Sequence, residues 1–238
     1  MNEIFELNKA KYHDDSEVAY MKEDYHVMRI NIAIDLLEEE VHKLTDKSNA
    51  KLLSLGCSTG MAEKEIIGRT GLKVYGLEGS EECAQIAAEN GLIMEVGDVT
   101  KKLPYADNSF EFVFAGEVIE HVMEIRSFLS EIKRVLKPSG YLIITTPNLA
   151  RVDDRIKFIF GIAPRHTSPI HEYLYLHIRP FTYGSLQETL NKMGFVIKSF
   201  KSNYIAFDVW GKRYINRFLA KIFPSLGGTL IVKAQVNK

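Results

Sequence analysis

The fold of this 238-residue chain is decided by the stretch Leu52-Leu53-Ser54-Leu55-Gly56-Cys57-Ser58-Thr59-Gly60, where an apolar run passes into a loop with glycine at each end. A helix-like pattern follows the loop directly, and the acid Glu78 closes the next apolar run, residues 72–77. A β-strand, a turn that lets backbone approach a ligand, and a carboxylate one strand later together predict a site for a nucleoside-containing cofactor.

The glycine spacing distinguishes between the common cofactors of this kind. A P-loop requires Lys-Ser/Thr after its last glycine, whereas Gly60 is followed by Met61-Ala62. A dinucleotide fingerprint has the spacing G-x-G-x-x-G, whereas this loop has G-x-x-x-G. S-adenosylmethionine (SAM), which carries a ribose and an adenine but no phosphate, therefore fits the loop better.

The composition is that of an ordinary globular protein. Hydrophobic residues make up 46% and charged residues 26%, and the net charge of −1 gives no overall field that would attract nucleic acid. Cys57 and Cys83 are too few for a disulfide framework, which favours a reducing compartment. The first residues show no signal-peptide pattern, and no apolar run reaches about 18 residues. We therefore expect a cytoplasmic protein.

A repeated junction organises the middle of the chain: a helix-like segment ends, a glycine follows and an apolar strand begins. The glycines are Gly71, Gly91, Gly140 and Gly194, and the predicted strands after them are residues 72–77, 92–96, 141–145 and 195–200. Further strands are predicted at residues 110–115 and 229–236. Helices alternating with apolar strands indicate a doubly wound α/β fold with a mostly parallel sheet covered on both faces.

The remaining segments frame this core. We divide the chain into a helical lead-in at residues 1–48, the core at 49–147, an insertion at 148–181 after the fifth strand, and the rest of the sheet at 182–238. The lead-in contains a helix at residues 20–44, which either packs on the sheet edge or forms a lid whose Tyr25, His26 and Arg29 face the cofactor. The insertion is expected on the substrate side and contains His166, His171 and His177.

Segment 204–223 interleaves aromatic residues with lysines and arginines. One interpretation is a helical cap over the sheet edge, with the stems of the basic side chains packed on apolar surface. The other is an amphipathic stretch that lies on an anionic membrane or binds a lipid-linked or polyanionic substrate. The second interpretation predicts peripheral contact with a membrane.

Four segments, taken in order, resemble the motifs of the class I SAM-dependent methyltransferases, nearest in style to the ubiquinone-type O-methyltransferases. They are LLSLGCSTG (52–60), VYGLEGS (74–80), GDVTKKLPYADNSFEFVFAGEVIEHV (97–122) and RVLKPSGYLIITTPN (134–148). The resemblance is strong over residues 50–150 and looser up to residue 234. It implies a Rossmann-like, seven-stranded sheet whose last strand is antiparallel, with SAM as cofactor and S-adenosylhomocysteine as product.

The resemblance also implies a set of cofactor-binding residues: Gly56, Cys57, Ser58, Gly60, Glu78, Gly79, Ser80, Asp98, Val99 and Glu117. Glu78 would accept hydrogen bonds from the ribose hydroxyls, and Asp98 would accept one from the adenine amine. Two alternatives stay open, because Cys57 also suits a packing residue and Asp98 after a glycine also suits a turn.

Residues 117–121, EVIEH, follow the predicted strand at 110–115 and so lie at its carboxyl end, near the transferred methyl group. His121 is a candidate general base. His177 is a second catalytic candidate, because a helix with Thr182 as its N-cap follows it. Alternatively, Glu117, Glu120, His121 and His177 bind a divalent metal, as in the RNA 2′-O-methyltransferases that this spacing resembles. In the simplest alternative, Glu120 caps a helix and His121 lines the pocket.

These motifs and their resemblance predict three alternative functions. The leading one is SAM-dependent O-methylation of a small-molecule, quinone- or lipid-linked, or saccharide acceptor, because the chain lacks the Asn/Asp-Pro-Pro-Tyr/Phe tetrad typical of amino-group methylation in nucleic acids. The second is a metal-dependent RNA 2′-O-methyltransferase, which the slight acidity of the chain disfavours, so that nucleic acid is not an expected partner. The third is a non-catalytic SAM-binding regulatory subunit.

Overall fold

The computed structural model describes residues 24–167, 176–209 and 212–238. The helices are α1 (Asp24–Val41), α2 (Met61–Thr70), α3 (Glu81–Glu89), α4 (Ile125–Val135), α5 (Val152–Ile159), α6 (Tyr183–Lys192) and α7 (Arg217–Ile222). The strands are β1 (Lys51–Leu55), β2 (Lys73–Glu78), β3 (Ile93–Val96), β4 (Phe110–Gly116), β5 (Leu136–Pro147), β6 (Phe195–Lys201), β7 (Ile205–Val209), β8 (Lys212–Asn216) and β9 (Thr229–Val236). Short 3₁₀ turns lie at Ile119–His121, Arg165–Thr167 and Pro224–Leu226.

Seven of the described strands form one sheet in the order β3-β2-β1-β4-β5-β9-β6. The first five in this order run parallel, whereas β9 is antiparallel to both β5 and β6. The predicted doubly wound, Rossmann-like sheet is thus confirmed, including its antiparallel strand. The carboxyl ends of β1, β2, β4 and β5 meet at one edge, where the candidate site lies.

Both faces of the sheet are covered, because successive side chains of a strand point to opposite faces. Leu53 and Leu55 of β1 belong to one buried cluster, whereas Leu52 belongs to the other. The first cluster is completed by α4 and α6, and the second by α1, α2 and α3. Burial on both faces explains why these strands read as continuous apolar runs in the sequence.

The glycine junctions are confirmed at three of their four positions. Gly71, Gly91 and Gly194 have φ angles of 70°, 99° and 81°, in the left-handed region that ends helices. Gly140 lies instead inside β5, which begins at Leu136 directly after α4, so the strand predicted at 141–145 is longer than expected. The physical reason is pairing, since Leu136 already lies opposite Phe110 of β4.

Segment 204–223 contains a hairpin of β7 and β8 followed by the short helix α7, so the predicted helical cap is wrong for most of its length. The two strands read IAFDV and KRYIN, and their β-branched and aromatic residues favour strand pairing over helix. The lead-in helix is confirmed over Asp24–Val41, while residues 20–23 lie outside the described residues. None of the described helices has the length and hydropathy needed to cross a membrane.

Candidate active site at the carboxyl edge of the sheet

The loop after β1 depends on its two glycines. Gly56 and Gly60 have φ angles of 65° and 74°, which other residues rarely adopt. A Cβ at Gly56 would lie 2.9 Å from Val118 Cγ2, so the backbone has room there only without a side chain. The Gly56 N–H donates to the Leu77 carbonyl at 2.9 Å, which joins the loop to the end of β2. The loop therefore presents bare backbone at the sheet edge, as the sequence predicts.

Glu78 ends β2 beside this loop, and backbone amides hold its carboxylate. Oε2 accepts a hydrogen bond from Ser58 N–H at 2.9 Å, and Oε1 accepts from Gly79 N–H at 2.7 Å and Ser80 N–H at 3.0 Å. These bonds take three of the about four acceptor positions of a carboxylate. Two ribose hydroxyls would thus displace at least one amide. Ser80 also caps α3, since its hydroxyl accepts from Cys83 N–H at 3.3 Å.

Asp98 lies beside Glu78, because the Gly97 N–H donates to the Glu78 carbonyl at 2.8 Å. Its Oδ1 accepts hydrogen bonds from Thr100 N–H at 2.8 Å and from Thr100 Oγ1 at 2.6 Å. Asp98 is therefore a turn residue, and its adenine contact stays a prediction. Val99 is half-buried against the core.

Cys57 is buried within the glycine loop. Its Sγ lies 3.9 Å from Met94 Sδ, which agrees with a packing residue. A contact with the cofactor through its backbone stays a prediction.

Glu117 is joined to the lead-in helix. Its φ of 59° is in the left-handed region, an uncommon conformation for a side chain of this size. Oε1 accepts from Thr145 Oγ1 at 2.9 Å and lies 3.4 Å from Nη1 of Arg29, which itself donates to Thr145 Oγ1 at 2.9 Å. Arg29 is 5% exposed, so this residue of α1 is buried at the carboxyl edge of the sheet.

Of the two sequence interpretations of the lead-in helix, packing on the sheet is confirmed, whereas a lid whose Tyr25, His26 and Arg29 face the cofactor stays a prediction. The helix packs on the sheet through Ile34 and Leu37, and it also brings Arg29 to the site. His26 is buried beside Arg29, with its Nδ1 3.5 Å from Nη2. Burial and the Arg29 guanidinium lower the pKa of His26 to about 3.

Glu120 is buried at the centre of the site. Its Oε2 accepts from Thr146 Oγ1 at 3.0 Å, while Oε1 has no hydrogen-bond partner in the described part of the chain. Burial and the neighbouring Glu117 carboxylate raise the pKa of Glu120 well above its ordinary value. The residue lies within the 3₁₀ turn, and Glu124 takes the N-cap position of α4, so the expectation that Glu120 caps a helix is wrong.

His121 has its tautomer fixed by one hydrogen bond. Nδ1 lies 3.1 Å from the Leu176 carbonyl oxygen, which only accepts hydrogen bonds, so Nδ1 carries the proton. The neutral ring then presents the lone pair of Nε2. Burial lowers the pKa of His121 to about 4, which keeps the imidazole neutral at physiological pH.

His177 lies next to His121, as the sequence predicts for two residues at one sheet edge. The ring centroids are 4.8 Å apart with the rings edge to face, and His166 stacks on His177 at 5.9 Å. Thr182 caps α6 as predicted, since its Oγ1 accepts from Ser185 N–H. His171 lies outside the described residues.

Three of the four candidate metal ligands come together. One ligand atom each from Glu120, His121 and His177 lies within 4.8 Å of the others, whereas the carboxylate of Glu117 is directed to Arg29 and Thr145. One carboxylate and two imidazoles form a donor set that suits Zn²⁺ and related ions. A metal at this position stays a prediction.

Thr145 and Thr146 are site residues that the sequence analysis did not single out. Both are completely buried at the carboxyl end of β5, and they hold the carboxylates of Glu117 and Glu120. The available signal was two adjacent hydroxyl residues closing an otherwise apolar strand, in a position where a buried polar group needs a partner.

Parts of this chain are similar in sequence to known proteins. A family model described as a methyltransferase domain matches residues 53–144. Over 136 residues the chain is 32% identical to the mitochondrial ubiquinone biosynthesis O-methyltransferase of Bos taurus, an alignment that covers 50% of this chain and 36% of that protein. Over 107 residues it is 36% identical to the sterol 24-C-methyltransferase ERG6B of Gibberella zeae, covering 42% and 28% respectively.

The alignments thus span about a third of the length of these two relatives. Among solved structures, the complex between the Haloferax volcanii Trm112 methyltransferase activator and a methyltransferase contains a chain of similar fold. Its TM-score is 0.68, at 19% identity, and the match covers 94% of this chain and 95% of that one. The structural similarity concerns the fold.

Proposed function

We propose that this chain transfers the methyl group of SAM to a hydroxyl oxygen of a small, quinone-type or lipid-linked acceptor. The premise is that the chain belongs to the class I SAM-dependent methyltransferases. The observation that supports this most directly is the His121–Leu176 hydrogen bond, because it leaves Nε2 of a neutral imidazole as a proton acceptor. His121 lies at the carboxyl edge of the sheet, where the loop after β1 begins.

The residues at this edge fit an adenosyl cofactor. The bare backbone at Gly56 and the carboxylate of Glu78 suit the methionine and ribose parts, and neither provides a phosphate site. SAM supplies a methyl group activated by its positively charged sulfur. Arg29 and Glu117 neutralise each other close by, so they leave no net charge to repel that sulfur.

In the reaction, the acceptor oxygen forms a bond to the methyl carbon as the bond from carbon to sulfur breaks. The hydroxyl proton passes to Nε2 of His121, while the Leu176 carbonyl keeps its hydrogen bond to Nδ1–H and stabilises the resulting imidazolium. Holding the oxygen in line with the methyl group supplies much of the rate enhancement.

The nature of the acceptor rests on the relatives. The name of the Bos taurus protein assigns O-methylation in ubiquinone biosynthesis, and the name of the Gibberella zeae protein assigns C-methylation of a sterol. A histidine that accepts a hydroxyl proton suits the first reaction. We therefore favour a phenolic hydroxyl on a ring that carries an apolar tail.

The test is a transfer assay with methyl-labelled SAM and three acceptors: a prenylated catechol, a sterol and an RNA oligonucleotide. We expect label in a methyl ether of the catechol. Label on sterol carbon would contradict the proposal. Calorimetry with SAM accompanies the assay, since cofactor binding without transfer to any acceptor would indicate the non-catalytic regulatory subunit instead.

A second candidate, metal-dependent methylation of an RNA 2′-hydroxyl, is supported by the grouping of Glu120, His121 and His177. The net charge of −1 is unfavourable for phosphate contacts. The metal-dependent candidate predicts that EDTA abolishes methyl transfer. It also predicts that Zn²⁺ or Mn²⁺ raises the melting temperature of the wild type but not of His177→Ala. Transfer to the catechol that EDTA leaves unchanged would rule this candidate out.

A further inference from the structure

Helix α5 and the turn after it form an exposed apolar tip, which we define as Ile156, Phe158, Ile159, Phe160 and Ile162. Their exposed fractions lie between 49% and 79%. The base of the helix is anchored, because Arg155 donates from Nε to the Ala150 carbonyl at 2.6 Å and from Nη2 to the Ser225 carbonyl at 3.0 Å. A firmly held helix with a large apolar end is unusual on a protein surface that meets only water.

A second exposed apolar group lies on neighbouring elements. Five residues of β8, α7 and the position after α7 have exposed fractions between 51% and 69%: Tyr214, Ile215, Phe218, Ile222 and Phe223. Helices α5 and α7 both contact β7, and the Arg155–Ser225 bond joins α5 to the turn after α7. The two groups therefore belong to one region, which we call the apolar surface.

The two chain segments that form the apolar surface are rich in basic residues. Residues 151–162 and 212–223 contain seven basic and two acidic residues, a net charge of +5 in a chain whose net charge is −1. Both acids, Asp153 and Asp154, form ion pairs with Arg151. Four of the other basic residues in these segments are exposed beside the apolar side chains: Arg155, Lys212, Arg217 and Lys221.

We propose that the apolar surface docks onto an anionic lipid bilayer, with the tip of α5 inserted among the acyl chains. The exposed residues at positions 156, 158, 159, 160 and 162 surround the end of the helix, whereas a protein partner would usually be met by one face with spacings of three and four residues. A lipid phase can enclose such a tip from all sides, and the basic residues match anionic headgroups. The inference does not depend on which acceptor is methylated.

The test is co-sedimentation of the full chain with vesicles, in the absence of SAM and acceptor. One set of vesicles contains phosphatidylcholine alone and the other contains phosphatidylcholine with phosphatidylserine. We expect binding to the mixed vesicles, reduced at least about tenfold by the double variant Ile159→Ser/Phe160→Ser and by Arg217→Glu/Lys221→Glu. Because all four side chains are exposed, the melting temperature should not change.

Matched controls lie on other surfaces. Ile93→Ser removes an aliphatic side chain that is 50% exposed on β3, and Lys73→Glu reverses an exposed charge at the start of β2. Both should bind vesicles like the wild type. Equal binding by the wild type and Ile159→Ser/Phe160→Ser would overturn the proposal. A concentration-dependent dimer that this variant abolishes, without vesicle binding, would identify a second copy of the chain as the occupant and would overturn it too.

Discussion

At the scale of single residues, burial has opposite effects on two neighbours in the chain. It raises the pKa of Glu120 and lowers the pKa of His121, so each is driven to its neutral form. No ion pair forms between them, and their hydrogen bonds go instead to Thr146 and to the Leu176 carbonyl. Burial thus disfavours the charged form of both the Glu120 carboxyl and the adjacent His121 imidazole, an arrangement that suits proton transfer.

Replacing His121 tests its role as the base. We expect His121→Ala to bind SAM with unchanged affinity in calorimetry and to lose about 10²-fold or more in kcat, because the imidazole that accepts the hydroxyl proton is removed. The exposed His42, replaced in the same way, serves as the control and should leave kcat unchanged. A kcat for His121→Ala equal to that of the wild type would exclude His121 as the base.

Replacing Glu78 tests the ribose contact. We expect Glu78→Ala to weaken SAM binding about tenfold or more, from the loss of about 1.5–3 kcal/mol of hydrogen bonding to a charged acceptor. Calorimetry measures the affinity, and Glu82→Ala, at an exposed acid on α3, is the matched control. Because Glu78 also holds three amides, the melting temperature is measured alongside. Unchanged affinity would reject Glu78 as a cofactor ligand.

At the scale of elements, α1 is fixed to the sheet at both ends. Near its beginning, Arg29 reaches Glu117 and Thr145, and near its end Glu39 and Glu40 each lie 2.6 Å from Nζ of Lys233 on β9. The side chains of Lys233 and Glu40 are 5% and 6% exposed, so this ion pair is buried. The helix that contributes to the site is thereby positioned by a contact far from it.

Removing Lys233 should destabilise the protein through the buried carboxylate that is left. We expect Lys233→Met to lower the free energy of unfolding by about 3 kcal/mol, the low end for a broken buried pair, because Lys43 still contacts Glu40. The double variant Lys233→Met/Glu40→Met should recover most of the loss. Urea titration measures both, and Lys192→Met, which breaks the exposed pair with Glu188, should change stability by less than about 0.5 kcal/mol. Equal losses from Lys233→Met and Lys192→Met would contradict this account.

The helices and strands also show which sequence signals are sufficient to predict where an element begins or ends. Gly71, Gly91 and Gly194 marked helix ends correctly because a left-handed φ is a local requirement. Gly140 misled because a strand is set by its partner, here β4, which the local sequence does not reveal. The hairpin at residues 205–216 was missed for the same reason. The grouping of His121 with His177 was predicted from the resemblance to the RNA 2′-O-methyltransferases, whereas the sequence left open whether α1 brings Arg29 to the site, because that depends on how α1 packs.

At the scale of the whole molecule, stability should depend on pH through buried histidines whose neutral form is favoured by folding. The pKa of buried His26 is lowered to about 3, so between that value and 6.5 the unfolded chain binds a proton that the folded chain does not. Stability is then fully present above about pH 6.5 and declines as the pH falls through this window.

His26→Gln should remove part of this decline. Below about pH 6 each such histidine contributes about 1.4 kcal/mol per pH unit, and we expect the slope of unfolding free energy against pH to decrease by up to that amount. Urea titrations at several pH values between 7.5 and 5 measure the slope. His42→Gln, at an exposed position, should leave it unchanged. Parallel curves for the wild type and His26→Gln would show that His26 does not contribute.

Strand β9 lies between β5 and β6, yet it is the last of the described strands to leave the ribosome during translation. In the described part of the chain, β6 pairs with β9 alone, so it has no place in the sheet until β9 has been synthesised. A nascent chain that already holds β1 to β5 therefore exposes the open edge of β5, an unpaired edge that invites aggregation. Chaperone demand should be concentrated in this interval, and it ends when β9 inserts and closes that edge.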